Sequence, residues 1–296
     1  MNKFMKDQYY LLRYSIIHCC VFLALSTLLF HLNGVDLSFD LQGRDILLVF
    51  TGLLLCGLPS GLLHNCAHRN VGPRWFNDLV GEFLGTVLLY GYRGFSLGHM
   101  FHHKYPDNPK FDPHPPRGYS FLRFVVSPIE ATLIIIERAY CEAFGDNKKS
   151  RIILKNSRVI FNISILTKLL FWFLLLGTKA FTLFYLVLYV SNIFVFAHIN
   201  FATHIENENG DSEIVNLNHN LYYKIVNRIS LGGYFHKSHH LKPRAFNPAR
   251  VQLRDEEAYV TYCPPIDLRT PKRGSLFSFK YVNGLDALTQ KLNLDQ

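Results

Sequence analysis

Charged residues are scarce in this chain. Asp, Glu, Lys and Arg together make up 18% of its 296 residues, whereas soluble domains carry roughly 25%. Hydrophobic residues make up 49% of the chain, including 25 phenylalanines, and they occur in long runs. A water-soluble chain avoids such runs. The composition therefore excludes an ordinary soluble domain and indicates a membrane protein.

Closely spaced cysteine pairs are also missing. The six cysteines lie at positions 19, 20, 56, 66, 141 and 263, and no two of them form a CxxC motif. Their spacing argues against a zinc ribbon, a rubredoxin-like module and a disulfide framework. The sequence shows neither an internal repeat nor a low-complexity linker. We therefore predict one domain that covers residues 1–296.

Four apolar segments are long enough to cross a bilayer, which takes about 20 residues at roughly 1.5 Å each. They cover approximately residues 12–32, 46–63, 159–177 and 181–201. The first segment is too long for a signal peptide, and no small-residue cleavage site follows it. The sequence predicts an all-α integral membrane fold with four transmembrane helices and a cytosolic helical cap.

The placement of Lys and Arg predicts the orientation in the membrane. These residues are retained in cytoplasmic loops, and they gather between the second and third segments and after the fourth, whereas the two opposite loops hold Arg44 and Lys179. We predict that both termini and residues 64–157 and 205–296 are cytoplasmic, in a bacterial inner membrane or the endoplasmic reticulum. The net charge of +9 follows from this bias and from attraction to anionic lipid headgroups, so nucleic acid is not an expected partner.

Two stretches of the first cytoplasmic region have a helical pattern but are too polar to span a bilayer. Residues 75–90 contain Asp78 and Glu82, and residues 121–144 contain Pro128 and several charges. We predict helices that lie in the membrane interface or dip partway into it.

Histidine occurs in four tight groups. The motifs HNCAH, HMFHH, NFATH and HKSHH supply nine histidines and one asparagine: His64, His68, His99, His102, His103, Asn200, His204, His236, His239 and His240. All of them lie at the cytoplasmic ends of predicted spans or in the cytoplasmic regions. The sequence therefore predicts that they converge on one face of the membrane.

The spacing of these histidines is typical of metal ligands. Residues three and four apart share one face of a helix, and neutral imidazole binds Zn, Cu, Fe and Ni. Nine imidazoles exceed what one tetrahedral zinc uses, but two metals with four or five histidines each would use them all. Asn200, one helical turn before His204, is in place to hold a water on one metal. The motifs lack Asp and Glu, which distinguishes them from carboxylate-bridged di-iron bundles. The spacing alone does not choose iron over copper or manganese.

These motifs resemble the three histidine boxes of the membrane fatty acid desaturase and hydroxylase superfamily. NFATH resembles its additional Asn-x-x-x-His element, and residues 102–119 resemble the segment after the second box of acyl-CoA and acyl-lipid desaturases. The likeness covers roughly residues 45–245. It departs at Gly233-Tyr234-Phe235, where the family more often has Gly-Glu-Gly and an aromatic residue, so it implies no particular head group or double-bond position.

The resemblance implies a four-span helical fold with a di-iron centre, O₂ as the oxidant and external electrons. It makes the nine histidines the metal ligands and Asn200 a water-mediated ligand. No cytochrome b5 module or cysteine cluster is visible in the chain, so a separate donor such as cytochrome b5, or ferredoxin with its reductase, is expected. His114 and Arg117 are weaker candidates for contacts with the substrate head group.

The activity that this resemblance predicts is desaturation of a fatty acyl chain that is linked to CoA, a carrier protein or a lipid. The alternatives are a fatty acid or alkane hydroxylase and a carotenoid ketolase or hydroxylase with the same metal centre. A metal transporter or sensor is a more remote alternative, because transporters place polar ligands near the middle of the bilayer. Lys168, within the third predicted span, has no role in any of these interpretations.

Overall fold

The computed structural model describes residues 2–108, 110–116, 119–207, 211–253 and 260–261. This part of the chain is mostly helical. Its α-helices are α1 Asn2–Lys6, α2 Tyr10–Asn33, α3 Ile46–Leu54, α4 Leu58–Ala67, α5 Arg74–Val87, α6 Tyr92–Lys104, α7 Phe121–Val126, α8 Pro128–Phe144, α9 Lys148–Ala180, α10 Val187–Thr203, α11 Leu221–Ile229 and α12 His236–Leu241. A π-helical segment, Phe181–Leu186, joins α9 to α10, and one-turn 3-10 helices cover Gly43–Asp45 and Pro248–Arg250.

Three helical stretches are long and apolar enough to cross a membrane: Tyr10–Asn33, Gly43–Ala67 and Lys148–Thr203. Large apolar side chains along them, such as Leu32, Leu47 and Phe50, are exposed. Such side chains are well placed to face lipid, since the hydrocarbon core of a bilayer is itself apolar. The third stretch contains both the third and the fourth predicted spans.

The third stretch is folded back on itself at Gly177. As one straight helix its 56 residues would measure about 84 Å, far more than a bilayer requires. Gly177 has φ 67° and ψ 168°, which interrupts the helix. The rings of Trp172 and Tyr185 stack at 5.5 Å, whereas 13 residues of straight helix would separate them by about 20 Å. The two predicted spans thus form a helical hairpin, and that each leg crosses a membrane stays a prediction.

The second predicted span, residues 46–63, is two helices rather than one. Helix α3 ends at Leu54, and α4 begins at Leu58 after Gly57, which has a left-handed backbone with φ 86°. The bend directs α4 towards α5 and α6, and their shared apolar core contains the fully buried Leu63 and Cys66. Because His64 and His68 follow in the same helix and at its C-cap, this packing sets their position.

Helices α5 and α6 form a second hairpin, and two glycines allow its legs to approach closely. A Cβ on Gly85 would lie 2.4 Å from the backbone nitrogen of Tyr92, and a Cβ on Gly81 would lie 2.8 Å from the ring of Tyr92. Asn77 on α5 ties the legs together, because its side-chain Nδ2 lies 3.0 Å from the Tyr92 hydroxyl. The hairpin carries the HMFHH motif on its second leg.

Substitution of Gly85 by alanine should destabilise the protein strongly. The added methyl group would overlap backbone atoms of Gly91 and Tyr92 at the start of the second leg, and such overpacking costs about 1–3 kcal/mol or more. The midpoint of thermal unfolding of the purified protein in detergent measures the effect. Gly94→Ala is the matched control, since a Cβ there meets nothing within 4 Å. Equal midpoints for the two variants would contradict the close-packed hairpin.

A small antiparallel sheet corrects the prediction of an all-α chain. It has the order β1-β2-β3, with β1 His204–Glu206, β2 Ser212–Ile214 and β3 Val260–Thr261. Strands of two or three residues are too short to show alternation in a sequence. Strand β1 starts directly at the end of α10, so His204 stands at a junction where the backbone turns from helical to extended.

Candidate metal centre

All nine predicted histidines lie together in the structure. Helix α4 carries His64 and is capped by His68, α6 carries the three histidines of HMFHH, and α12 carries the three of HKSHH. His204 joins them from the end of α10. Most of these side chains are buried within the protein, including His99, His102 and His239.

The ring nitrogens form two groups, in each of which the candidate ligand atoms lie within 4.8 Å of one another. The five-histidine group contains His64, His68, His99, His103 and His239. The four-histidine group contains His102, His204, His236 and His240. Adjacent residues on one helix belong to different groups, because a helix turns about 100° per residue. Each of HMFHH and HKSHH therefore contributes to both groups.

Nε2 atoms face one another within each group. In the five-histidine group, Nε2 of His68 lies 2.7 Å from that of His99 and 3.1 Å from that of His103. In the four-histidine group, Nε2 of His236 lies 3.1 Å from that of His204 and 3.2 Å from that of His240. Each imidazole carries two nitrogens and, when neutral, one proton, so lone pairs converge at these points. Converging imidazole lone pairs are the donor set that a transition-metal ion requires.

The surroundings keep most of these imidazoles neutral. Burial, with a smaller effect from His102, lowers the pKa of His68 to about 4. Burial is also the main reason why the pKa values of His99, His103, His236 and His239 lie well below the ordinary value. A neutral imidazole is the form that binds metal. Burial thus favours the ligating form of these five histidines, of which His236 belongs to the four-histidine group and the others to the five-histidine group.

Two aspartates contact the Nδ1 atoms of histidines in the four-histidine group. Nδ1 of His102 lies 3.0 Å from both carboxylate oxygens of Asp112, and Nδ1 of His204 lies 2.7 Å from Oδ2 of Asp107. A carboxylate on Nδ1 keeps the proton there and leaves Nε2 as a lone pair, which is how metal-ligating histidines are commonly oriented. Although burial lowers the pKa of His102, Asp112 outweighs it and raises that pKa above the ordinary value.

The loop after α6 is built around these carboxylates. Oxygens of Asp112 accept the backbone N–H groups of Asp107 and His114, both at 2.7 Å, and the hydroxyl of Ser212 donates to Asp107. Sequence analysis missed both aspartates as parts of the site. The sequence feature that could have identified them is their position five and ten residues after His102, in a loop dense in Pro and Asp.

Asn200 lies one helical turn before His204, as predicted. Its side-chain nitrogen donates to the backbone carbonyl of His114 at 3.0 Å, so it links α10 to the aspartate loop. Its role as a water-mediated ligand stays a prediction. His114 lies beside the histidines rather than at an outer rim, with its ring 6.1 Å from that of His102. Arg117 lies outside the described residues.

A largely apolar cavity of about 520 Å³ adjoins the histidines. Side chains from α2, α6, α7, α8, α9 and α10 contribute to its walls, among them Phe95, Phe124, Ile136 and Phe194. His114 and Asn200 line this cavity and also a smaller one of about 50 Å³ that contains His64, His99 and His236. An apolar chain in the large cavity would therefore have one part close to both histidine groups.

Comparison with known proteins identifies the family. The model of the family described as fatty acid desaturase matches residues 46–264, which include all four histidine motifs. The chain belongs to the fatty acid desaturase family. The family predicted from the histidine motifs is thereby confirmed, and with it membership of a family of membrane proteins that act on lipids.

The chain is similar to two curated desaturases over a short stretch. It is 37% identical over 65 residues to the sn-1 oleoyl-lipid 12-desaturase of Arthrospira platensis, which covers 22% of this chain and 18% of that protein. It is 38% identical over 58 residues to the enzyme of the same name from Anabaena variabilis, which covers 19% of this chain and 16% of that protein. The matches thus span less than a fifth of these desaturases. No solved structure matches the chain.

Proposed function

We propose that this protein is an O₂-dependent fatty acyl desaturase with two iron ions held by the nine histidines. The observation that carries the proposal is that His114 and Asn200 line both the apolar cavity and the smaller cavity beside the histidine groups. This arrangement would bring an acyl chain and a pair of metals to one place, in a chain of the fatty acid desaturase family. Similarity to two enzymes named as oleoyl-lipid desaturases supports a long acyl chain as the substrate.

Iron fits both the donor set and the reaction. Removing two hydrogens from adjacent methylenes is an oxidation, and zinc has no redox chemistry. When bound, the iron pair would couple the reduction of O₂ to that oxidation. For each double bond, the acyl chain gives up two hydrogen atoms, that is, two protons and two electrons. A separate donor such as cytochrome b5, or ferredoxin with its reductase, would supply two more electrons, two further protons would come from the medium, and O₂ would leave as two waters.

The side chains of the protein orient the metal ligands and exclude water from the acyl chain. The apolar walls of the cavity exclude water from the acyl chain. Burial of each methylene stabilises the bound chain by about 0.8 kcal/mol. Asp107 and Asp112 keep protons on the Nδ1 atoms of His204 and His102, so that both Nε2 lone pairs face the metal position. Asn200 fixes the loop that carries both aspartates through the His114 carbonyl. No side chain is required as a general base.

We also propose a cytoplasmic site and four membrane crossings. The support is the excess of Lys and Arg between α4 and α9, and the hairpin at Gly177 that lays two apolar helices side by side. HNCAH and NFATH lie at the ends of α4 and α10 that this arrangement directs to the cytoplasm. An electron donor from the cytoplasm would then reach the metal centre without crossing lipid.

The fatty-acid profile of cells that express the protein tests the proposed function. Cells that also supply a working electron donor should form new monounsaturated chains, which gas chromatography with mass spectrometry detects and derivatisation locates. His99→Ala should abolish the new products, whereas His219→Ala should not, because His219 is exposed and lies outside both groups. Hydroxylated chains in place of alkenes, or an unchanged profile beside an active donor, would contradict desaturation.

A further inference from the structure

Lys168 is a charged residue in the middle of a candidate membrane span. It belongs to α9, and its side chain is almost completely buried, with a relative exposure of 1%. Ionisable residues at such positions are costly and usually have a partner within the protein. The Nζ atom of Lys168 donates to the backbone carbonyl of Leu89 at 3.2 Å. Leu89 belongs to residues 88–91, which connect α5 to α6 and which we call the hairpin tip.

Two further side chains donate to the same end of α5. The indole nitrogen of Trp172 donates to the carbonyl of Thr86 at 3.2 Å, and the hydroxyl of Tyr185 donates to the carbonyl of Val87 at 2.9 Å. The last four carbonyls of a helix have no partner within it, and a bilayer supplies no water to replace one. The candidate spans thus donate to the carbonyls of Thr86 and Val87 at the end of α5 and to that of Leu89 just beyond it. The cation of Lys168 also opposes the negative end of the helix dipole.

The backbone of the hairpin tip is held in an unusual conformation. Leu89 has φ 69°, a left-handed value that costs energy for a residue with a Cβ. The N–H of Gly91 turns back to the carbonyl of Gly85 at 2.9 Å. Strained residues persist where their surroundings determine the conformation, and Lys168 binds the carbonyl of the strained residue itself.

The hairpin tip is connected to the metal centre through stacked rings. Tyr90 stacks on Phe95 with 5.9 Å between ring centroids, and Phe95 stacks on His99 at 5.7 Å with an angle of 5° between the planes. Tyr90, Gly91 and Phe95 also line the apolar cavity. A displacement of the tip would therefore move one wall of the cavity relative to His99.

We propose that Lys168 is a positioning residue: with Trp172 and Tyr185 it anchors the tip of a hairpin that enters the membrane, and so fixes the cavity wall relative to the metal ligands. The inference rests on the proposed desaturase function in one respect, namely that the position of the double bond reports the placement of the acyl chain. Lys168 also lines the apolar cavity, but its Nζ atom donates to the carbonyl of Leu89, and we therefore assign its effect to the backbone of the tip.

The test compares Lys168→Met with Lys179→Met in the full-length purified protein. Lys179 lies on the same helix and pairs with Asp45 at 3.0 Å, away from the hairpin tip. Hydrogen exchange of residues 88–91 should become about tenfold faster in Lys168→Met, which corresponds to about 1.4 kcal/mol, and should stay unchanged in Lys179→Met. Lys168→Gln keeps an N–H donor and should recover part of the protection.

The products give the second readout. Lys168→Met should keep its metal content but form double bonds at more than one position, where the wild type forms one. Tyr185→Phe removes only the hydroxyl that binds Val87, so it should cause a smaller change in the same direction, and it replaces Lys168→Met if that variant does not fold. Unchanged exchange at the tip, or faster exchange with an unchanged double-bond position, would overturn the proposal. A wild type that forms no alkene would refute the proposed function, whereas the exchange measurement would still decide whether Lys168 anchors the tip.

Discussion

Replacing His236 by alanine should remove one of the two metal ions from the purified protein and abolish double-bond formation. His236 belongs to the four-histidine group, and its loss leaves three imidazoles there. Metal content should fall from two ions per chain to one, as measured by mass spectrometry of the eluted metal. Activity should fall by more than about 100-fold, since even substitution of a residue that hydrogen-bonds to a metal ligand commonly lowers metal affinity or activity about 10–100-fold.

His239→Ala provides the sharpest comparison. The residue lies on the same helical turn as His236 but belongs to the five-histidine group, so four imidazoles would remain in that group. Four ligands complete a tetrahedral metal site, and we therefore expect His239→Ala to retain more metal than His236→Ala. Equal losses from the two variants would contradict the division of the histidines into two groups. His219→Ala should retain both ions and full activity.

Asp112→Asn should weaken metal binding in one group only. The substitution preserves the size of the side chain but removes its charge and turns one oxygen into an NH₂ group. Both oxygens of Asp112 accept backbone N–H groups at 2.7 Å and both face His102, so the new NH₂ would face a donor. We expect the affinity of the four-histidine group to fall about 10–100-fold, as measured by competition with a chelator, while the other ion stays bound.

Two further variants distinguish this local effect from a general destabilisation of the fold. Asp107→Asn acts on His204 in the same group, so the effects of the two single variants should not simply add in the double variant, because residues in one hydrogen-bond network are coupled. Asp146→Asn removes an exposed carboxylate that pairs with Arg151 at 2.8 Å, and it should leave both affinities unchanged. Loss of both ions in Asp112→Asn, or of neither, would contradict the assigned role.

The family and the candidate ligands were predictable because their signals are local. Histidines three and four residues apart share a helix face wherever the helix lies, so HNCAH, HMFHH and HKSHH predicted ligand pairs without knowledge of the fold. The count of nine histidines likewise predicted two sets of four and five. Long apolar runs predicted the membrane segments for the same reason, since a bilayer requires a continuous length of apolar residues.

Membership of the two groups depended on how the helices pack. His102 and His103 are neighbours in the chain, but His103 meets His68 and His99, whereas His102 meets His204 and His240. The carboxylate partners depended on folding as well: Asp107 meets His204 across 97 positions of sequence. No periodic pattern marks a contact of that kind, and the loop that carries both aspartates looked only like a turn.

The sequence by itself determined the histidine motifs, the family and the apolar segments, because each is encoded in residues that are close together along the chain. Only the tertiary structure decided which imidazoles share a metal position and which carboxylates contact their Nδ1 atoms. It also decided which group binds the lysine within a candidate span. Lys168 shows the physical reason. Its partner is a backbone carbonyl 79 positions away, and every residue type has a carbonyl, so the contact leaves no trace in the sequence.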